Sequence, residues 1–190
     1  MIQQAVISAE NNWVEKDIRG FKGSPIQRIG DEWMLITSGN TQTGPGNWNT
    51  MTASWGGFGV LWGKDIVFMV IRPGRHTRAF IDANSLFSLS FFDKKHHKDL
   101  AFCGEKSGRD YDKAMETGLT PIVFGSNVAG GRAAGVVAFK EATDIIICKK
   151  LYIHDLDPAN FLDSEIAGNY PQKDYHRMYV GEVLVLLTAK

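Results

Sequence analysis

The segment Asp65-Ile66-Val67-Phe68-Met69-Val70-Ile71 is a nearly continuous apolar run rich in β-branched residues, and Pro73-Gly74 follows it directly. Such a run reads as a strand, and the Pro-Gly pair as the turn that ends it. The same signature recurs along the chain. Asp31 to Thr37 reads as a strand, and Gly39 to Gly46 as a turn-rich loop. Val60 to Ile71 contains a Gly63-Lys64-Asp65 turn before the apolar run. Ser85 to Phe92 alternates, as a strand with one face inward does, and Pro121 to Gly125 is a short strand. Gly135 to Phe139 and Asp144 to Ile153 are strands separated by a bend at Lys140 to Thr143, and Arg177 to Thr188 closes the series. Helical patterns are few. Arg75 to Asp82 has helical spacing with Ala79, Phe80 and Ala83 on an inner face, and Lys94 to Phe102 and Asp110 to Thr117 follow, the last stopped by Gly118 as its C-cap. Pro158 to Leu162 is one helical turn with Asp157 as N-cap and Pro158 at the first position. Many short strands with few helices predict a mainly β protein built as a barrel, whose closure removes exposed strand edges. No strand is followed by G-x-G-x-x-G, and Gly56-Gly57-Phe58-Gly59 lacks that form, so a separate dinucleotide-binding unit is not expected.

Charge and length narrow the classes further. The chain has 190 residues, one domain's worth, with 21 basic and 21 acidic side chains. A balanced chain has no global field to recruit nucleic acid or an acidic membrane. No segment approaches the ~18 apolar residues that span a bilayer, and Met1-Ile2-Gln3-Gln4-Ala5 lacks the regions of a signal peptide. Cys103 and Cys148 lie far apart and form no disulfide framework, so a cytoplasmic setting is expected.

Two stretches carry the chemistry. Asn49-Thr50-Met51-Thr52-Ala53-Ser54-Trp55-Gly56-Gly57-Phe58-Gly59 mixes apolar groups with small hydrogen-bonding residues and carries no charge. That mixture, on a strand edge or on a loop lining a cavity, suits a planar heterocycle, and its glycines let backbone N–H groups approach a ligand. A plainer reading makes the glycines a β-turn after a core strand. Arg72-Pro73-Gly74-Arg75-His76-Thr77 sets two arginines, a histidine and a threonine around a tight turn at the start of a helix. Free N–H groups, the positive helix end and a guanidinium suit a phosphate there. The plainer reading is a helix cap beside solvated arginines.

Together these residues resemble the flavin reductase-like family of FMN-binding split-barrel proteins, and more closely its flavoredoxin-type branch. The resemblance rests on Asn-x-Met-Thr-Ala-Ser-Trp-Gly-Gly, a hydrophobic strand, and Arg-Pro-x-Arg-x-Thr, and it spans roughly residues 30 to 190. Ser85 to Phe92, Cys103 to Lys113 and Asp174 to Glu182 resemble further segments of the family. Trp33 to Ser38 departs from the usual aliphatic strand, and His76 stands where the family often has Tyr. The resemblance implies a split β-barrel with a few peripheral helices and a homodimer with the flavin at the interface. It implies that Asn49, Met51, Thr52, Ala53, Ser54 and Trp55 line the isoalloxazine and ribityl chain, and that Arg72, Arg75 and Thr77 hold the phosphate beside His76. Cys103, Ser107 and Lys113 are secondary candidates near the site. It further implies hydride transfer from NADH or NADPH to flavin N5, then electron transfer to an unidentified acceptor, with no side chain acting as acid or base. Three readings stay open at this level: an NAD(P)H-dependent flavin reductase, an electron carrier reduced by a partner protein, and a non-catalytic flavin-binding module.

Other chemistry finds little support in the residues. Adjacent His96 and His97 point about 100° apart on a helix, poorly placed for one metal. His154, Asp155 and His176 read as surface or loop residues, Lys94 to Lys98 as a solvated helix start, and Cys103 as a buried structural thiol. There is no C-x-x-C and no G-x-S-x-G. Of the five tryptophans only Trp55, inside the motif, is assigned to a ligand.

Overall fold

The structure, a computed structural model, describes residues 7–8, 12–39 and 47–190. Most of the loop expected at Gly39 to Gly46 lies outside the described residues. The strands are β1 (Ile7–Ser8), β2 (Trp13–Lys16), β3 (Met34–Gly39), β4 (Trp48–Ala53), β5 (Gly56–Leu61), β6 (Lys64–Ile71), β7 (Leu86–Phe91), β8 (Pro121–Val123), β9 (Val137–Phe139), β10 (Asp144–Asp155) and β11 (Arg177–Ala189). The α-helices are α1 (Pro25–Gly30), α2 (His76–Ala83), α3 (His97–Glu105) and α4 (Lys113–Thr117). An eight-stranded antiparallel sheet runs β4-β3-β7-β10-β11-β6-β5, with β2 also on β11. A second, three-stranded sheet orders β1-β8-β9.

The large sheet is not closed, which corrects the expectation that closure removes its edges. β4 and β5 are its two edge strands, yet only Ser54 and Trp55 separate them in the chain. The sheet therefore curls until its edges lie a two-residue link apart without pairing, and the barrel stays split along that line. The glycines after Trp55 lie in β5, not in a turn. Gly56 is needed there, because a Cβ at this position would lie 2.5 Å from the Phe68 carbonyl oxygen.

Period-two alternation explains why several strands read as unbroken apolar runs. In β10, Ile146 and Cys148 enter a core inside the curl with Met34, Ile36, Met51, Met69 and Phe87, while Ile145 and Ile147 enter a second core on the other face. α3, α4 and the small sheet cover that second face through Leu100, Cys103, Ala114 and Phe139. The same geometry corrects the reading of β7 as a strand with one face inward. Its Phe87, Leu89 and Phe91 face the inner core, and Ser88, on the opposite face, is also buried and donates to the Val137 carbonyl at 2.6 Å.

Caps fix the ends of α4 and of one 3-10 turn. Asp112 accepts from the Ala114 and Met115 amides to start α4, and Gly118, at φ 73°, ends it in the left-handed conformation. Asp157 caps a 3-10 turn at Pro158–Asn160 by accepting from the Ala159 amide. In α2 the inward residues are Thr77 and Ile81, not Ala79, Phe80 and Ala83. Ile81 enters the inner core, and Thr77, on the same side, turns its hydroxyl into the protein.

Candidate functional site

A cavity of about 230 Å³ opens where the chain crosses the split. One wall is the end of β4 and the link after it: Met51, Thr52, Ala53, Ser54 and Trp55. Val70 of β6 adds an apolar side, and Arg72 and Arg75 come from the turn that follows. His176, just before β11, completes the lining. Seven of the residues singled out in the sequence thus meet around one hollow.

The rest lie behind it. Asn49 Nδ2 donates to Thr77 Oγ1 at 2.8 Å, with Thr77 1% exposed. Gly108 presses on this pair so closely that a Cβ there would meet Asn49 Oδ1 at 2.0 Å. Neighbouring Ser107 uses its hydroxyl to accept from the Arg109 amide at 3.2 Å. His76 turns its ring edge to Phe80, 5.1 Å between centroids, and burial with the charges of Arg109 and Lys113 lowers its pKa. Lys113 is almost fully buried and donates to the carbonyls of Thr50 at 2.8 Å and Cys103 at 2.7 Å. Burial lowers its pKa to about 8. Cys103 is equally buried, and burial pushes its thiol up to about 12, which makes it a poor source of thiolate. These residues hold β4, α2 and α3 together beneath the cavity.

The two arginines are held differently. Arg75, at the N-cap position of α2, donates through Nη1 to the Gly104 carbonyl. Among the described residues it has no carboxylate partner. Arg72 Nη1 reaches both carboxylate oxygens of Asp174 at 2.7 Å, and its Nη2 donates to the Asn169 carbonyl at 2.9 Å. Its guanidinium also lies 5.1 Å from the centre of the Tyr170 ring.

His176 corrects the surface reading. It is 7% exposed, its ring lies 5.0 Å from that of Trp55, and its Nδ1 is 2.9 Å from the Tyr170 hydroxyl. Burial, with the nearby Arg72 charge, lowers its pKa to about 4, so the imidazole in the cavity is neutral at neutral pH. Sequence reasoning missed both: it read Val70 only as part of the apolar run of β6 and took His176 for a surface or loop residue. The only available signal was the position of His176 two residues after Asp174, where the last strand begins. A pH prediction follows. The unfolded chain protonates His176 near 6.5, the fold only near 4, so its stabilising contribution is complete above about pH 6.5 and is lost as pH falls toward 4. Urea unfolding of the wild type at pH 7 and 4.5 should show a loss on the order of 2 kcal/mol that His176→Gln lacks. Parallel pH curves for the two proteins would refute this.

No protein-family model and no curated protein matches the chain. Solved structures do. Flavoredoxin of Desulfovibrio vulgaris (Miyazaki F) superposes with a TM-score of 0.58 at 18% identity, over 83% of this chain and 69% of that one. The FMN-binding domain of a flavin reductases-like enzyme from Shewanella baltica superposes with a TM-score of 0.62 at 16% identity, over 95% and 79%. The NADH:FAD oxidoreductase of Streptomyces globisporus gives 0.59 at 15% identity, over 86% and 80%. These are flavoredoxin and flavin reductase-like proteins, the family that the motifs resemble. At such identities the likeness is one of fold: the chain has the flavin reductase-like split-barrel fold.

Proposed function

We propose that this chain is an FMN-binding oxidoreductase, an NAD(P)H-dependent flavin reductase that passes electrons from nicotinamide through flavin to an acceptor. The observation that carries the proposal is the cavity at the split. It joins an apolar strip of Met51, Ala53 and Val70 and the Trp55–His176 pair to two guanidinium groups, Arg72 and Arg75. That donor set fits a planar ring bearing a phosphate. Its volume of about 230 Å³ lies below the roughly 300–1,000 Å³ of ordinary ligand pockets. A flavin held here keeps part of its surface uncovered, room for a nicotinamide and for a second copy of the chain, which supports the homodimer.

Bound FMN supplies the hydride-accepting ring of the reaction. The protein supplies placement. Arg75 offers a positive charge beside the free N–H groups of α2, and the neutral His176 imidazole offers a hydrogen-bonding edge without adding charge. Met51 and Val70 keep water from the wall they line. The buried Asn49–Thr77 pair ties β4 to α2 and Lys113 ties β4 to α3, so that the cavity is shaped before a ligand arrives. Two buried, unpaired cysteines accord with a cytoplasmic setting, and among the described residues no helix is long and apolar enough to cross a membrane.

A second reading, an electron carrier reduced by a partner protein, gains support from one feature. Phe68 of β6 lies in a row with Val180 of β11 and Tyr152 of β10, and Trp62 packs on Tyr152 at 6.1 Å. Phe68, Tyr152 and Trp62 are exposed. They share a strand face with the cavity residue Val70, so a docked partner would come close to the flavin.

The test begins with the visible spectrum of the purified protein and identification of any flavin released on denaturation. Stopped-flow bleaching of the bound flavin by NADH or NADPH supports the reductase. Flavin binding without bleaching by either donor moves the assignment to the carrier. Failure to take up added FMN overturns both.

A further inference from the structure

The segment 156–176 leaves the sheet between the two longest strands, β10 and β11, and returns to the candidate site at Arg72 and His176. Its aromatic residues cluster: Phe161 stacks on Tyr170 at 5.8 Å, and Tyr170 meets Tyr175 at 5.1 Å and His176 at 5.5 Å. One cation ties it to the body of the protein. Arg72, at the end of β6, holds both oxygens of Asp174 and the Asn169 carbonyl and faces the Tyr170 ring. The same Arg72 lines the cavity. Arg72 and Asp174 are each only 29% exposed at the side chain, so water screens the pair incompletely.

The electrostatic consequence is specific. A phosphate monoester carries about −1.5 to −2 charges near neutral pH. Of the cavity's titratable groups, Arg75 has no carboxylate partner among the described residues, His176 is neutral and Arg72 is already balanced by Asp174. The carboxylate of Asp174 therefore occupies the charge of Arg72 and its Nη1, a donor that a ligand phosphate would use.

We infer that Asp174 is an internal counter-anion, which competes with the phosphate of a bound flavin for Arg72 and so sets how strongly the site prefers FMN to riboflavin. The inference rests on the flavin-binding reading of this cavity. When phosphate takes Arg72, the segment 156–176 loses its ionic tether and keeps the Trp55–His176 ring contact, the Tyr170–His176 hydrogen bond and the bonds within the segment itself. Asp174 is a positioning residue here. Its substitution acts through Arg72, and in the direction opposite to that of a purely structural residue.

The test uses the full chain with FMN and riboflavin as probes, by fluorescence titration at fixed ionic strength. Asp174→Asn keeps an oxygen acceptor for Arg72 and removes the charge. It should tighten FMN binding by about five- to twentyfold and leave riboflavin affinity unchanged. In the wild type, hydrogen exchange of amides in 156–176 should quicken on saturation with FMN and not with riboflavin. This second measurement needs no variant and holds if Asp174→Asn does not fold. An unchanged or reduced FMN preference in Asp174→Asn, or slower exchange in 156–176 with FMN, would overturn the inference. Equal wild-type affinity for FMN and riboflavin would overturn it too while leaving the flavin reading intact. Binding of neither flavin would remove that reading itself.

Discussion

Replacing Arg75 with alanine weakens FMN binding by about 2 kcal/mol, roughly thirtyfold, and leaves riboflavin binding nearly unchanged. Arg75 carries this effect because its charge is uncompensated and the rest of its side chain is already ordered. The Gly104 carbonyl holds one of its N–H groups, so little rotamer freedom remains to be lost on binding. Its place at the N-cap position of α2 puts the guanidinium beside free backbone amides and the positive end of the helix. Thr77, also assigned to the phosphate from sequence with Arg72 and Arg75, behaves differently. Its hydroxyl is buried and accepts a hydrogen bond from the Asn49 side-chain amide, so Thr77→Ala should lower stability and alter affinity only through the support it gives. Titration of both flavins against Arg75→Ala decides the matter. Equal losses for FMN and riboflavin would show that Arg75 shapes the cavity and does not hold a phosphate.

Lys113→Ala should destabilise the protein by about 3 kcal/mol. For a chain of this size that corresponds to a fall in Tm of roughly 6–12 °C. The amine sits 6% exposed and donates to two carbonyls from different elements, Thr50 in β4 and Cys103 in α3. Alanine leaves both acceptors buried and unpaired and opens a cavity where the alkyl stem stood. Because Thr50 is next to Met51, β4 should also shift at the cavity wall, and FMN affinity should fall with stability. Lys113→Arg, which keeps donors in a bulkier group, should recover part of the loss. Thermal melts of the three proteins test this, and a shift under about 2 °C in Lys113→Ala would mean that the two carbonyls find other partners.

Much of the fold could be read along the chain because it depends on local rules. The apolar run before Pro73-Gly74 became β6, Gly118 ended α4, and Asp157-Pro158 opened a helical turn, since dihedral freedom and capping act within a few residues. The alternation in β10 was legible as strand but not as two cores, because a strand buried on both faces has no polar face to mark its orientation. The inner face of α2 was misassigned for a related reason. Its buried residues are one apolar side chain, Ile81, and one threonine, and apolar spacing does not mark a threonine as inward.

The sequence by itself determined the mainly β architecture and the strand-turn-helix that carries Arg72 and Arg75, and it singled out Asn49 to Ser54 without deciding between strand and loop. Only the tertiary structure decided that the sheet stays split, that Ser54 and Trp55 bridge its edges, and that His176, Val70 and the Arg72–Asp174 pair meet there. Spacing along a chain records which residues share a face of one element. It does not record how far a sheet curls or which residues, about a hundred apart, meet when it does: that depends on the summed twist of many strands and on the cores packed against both faces.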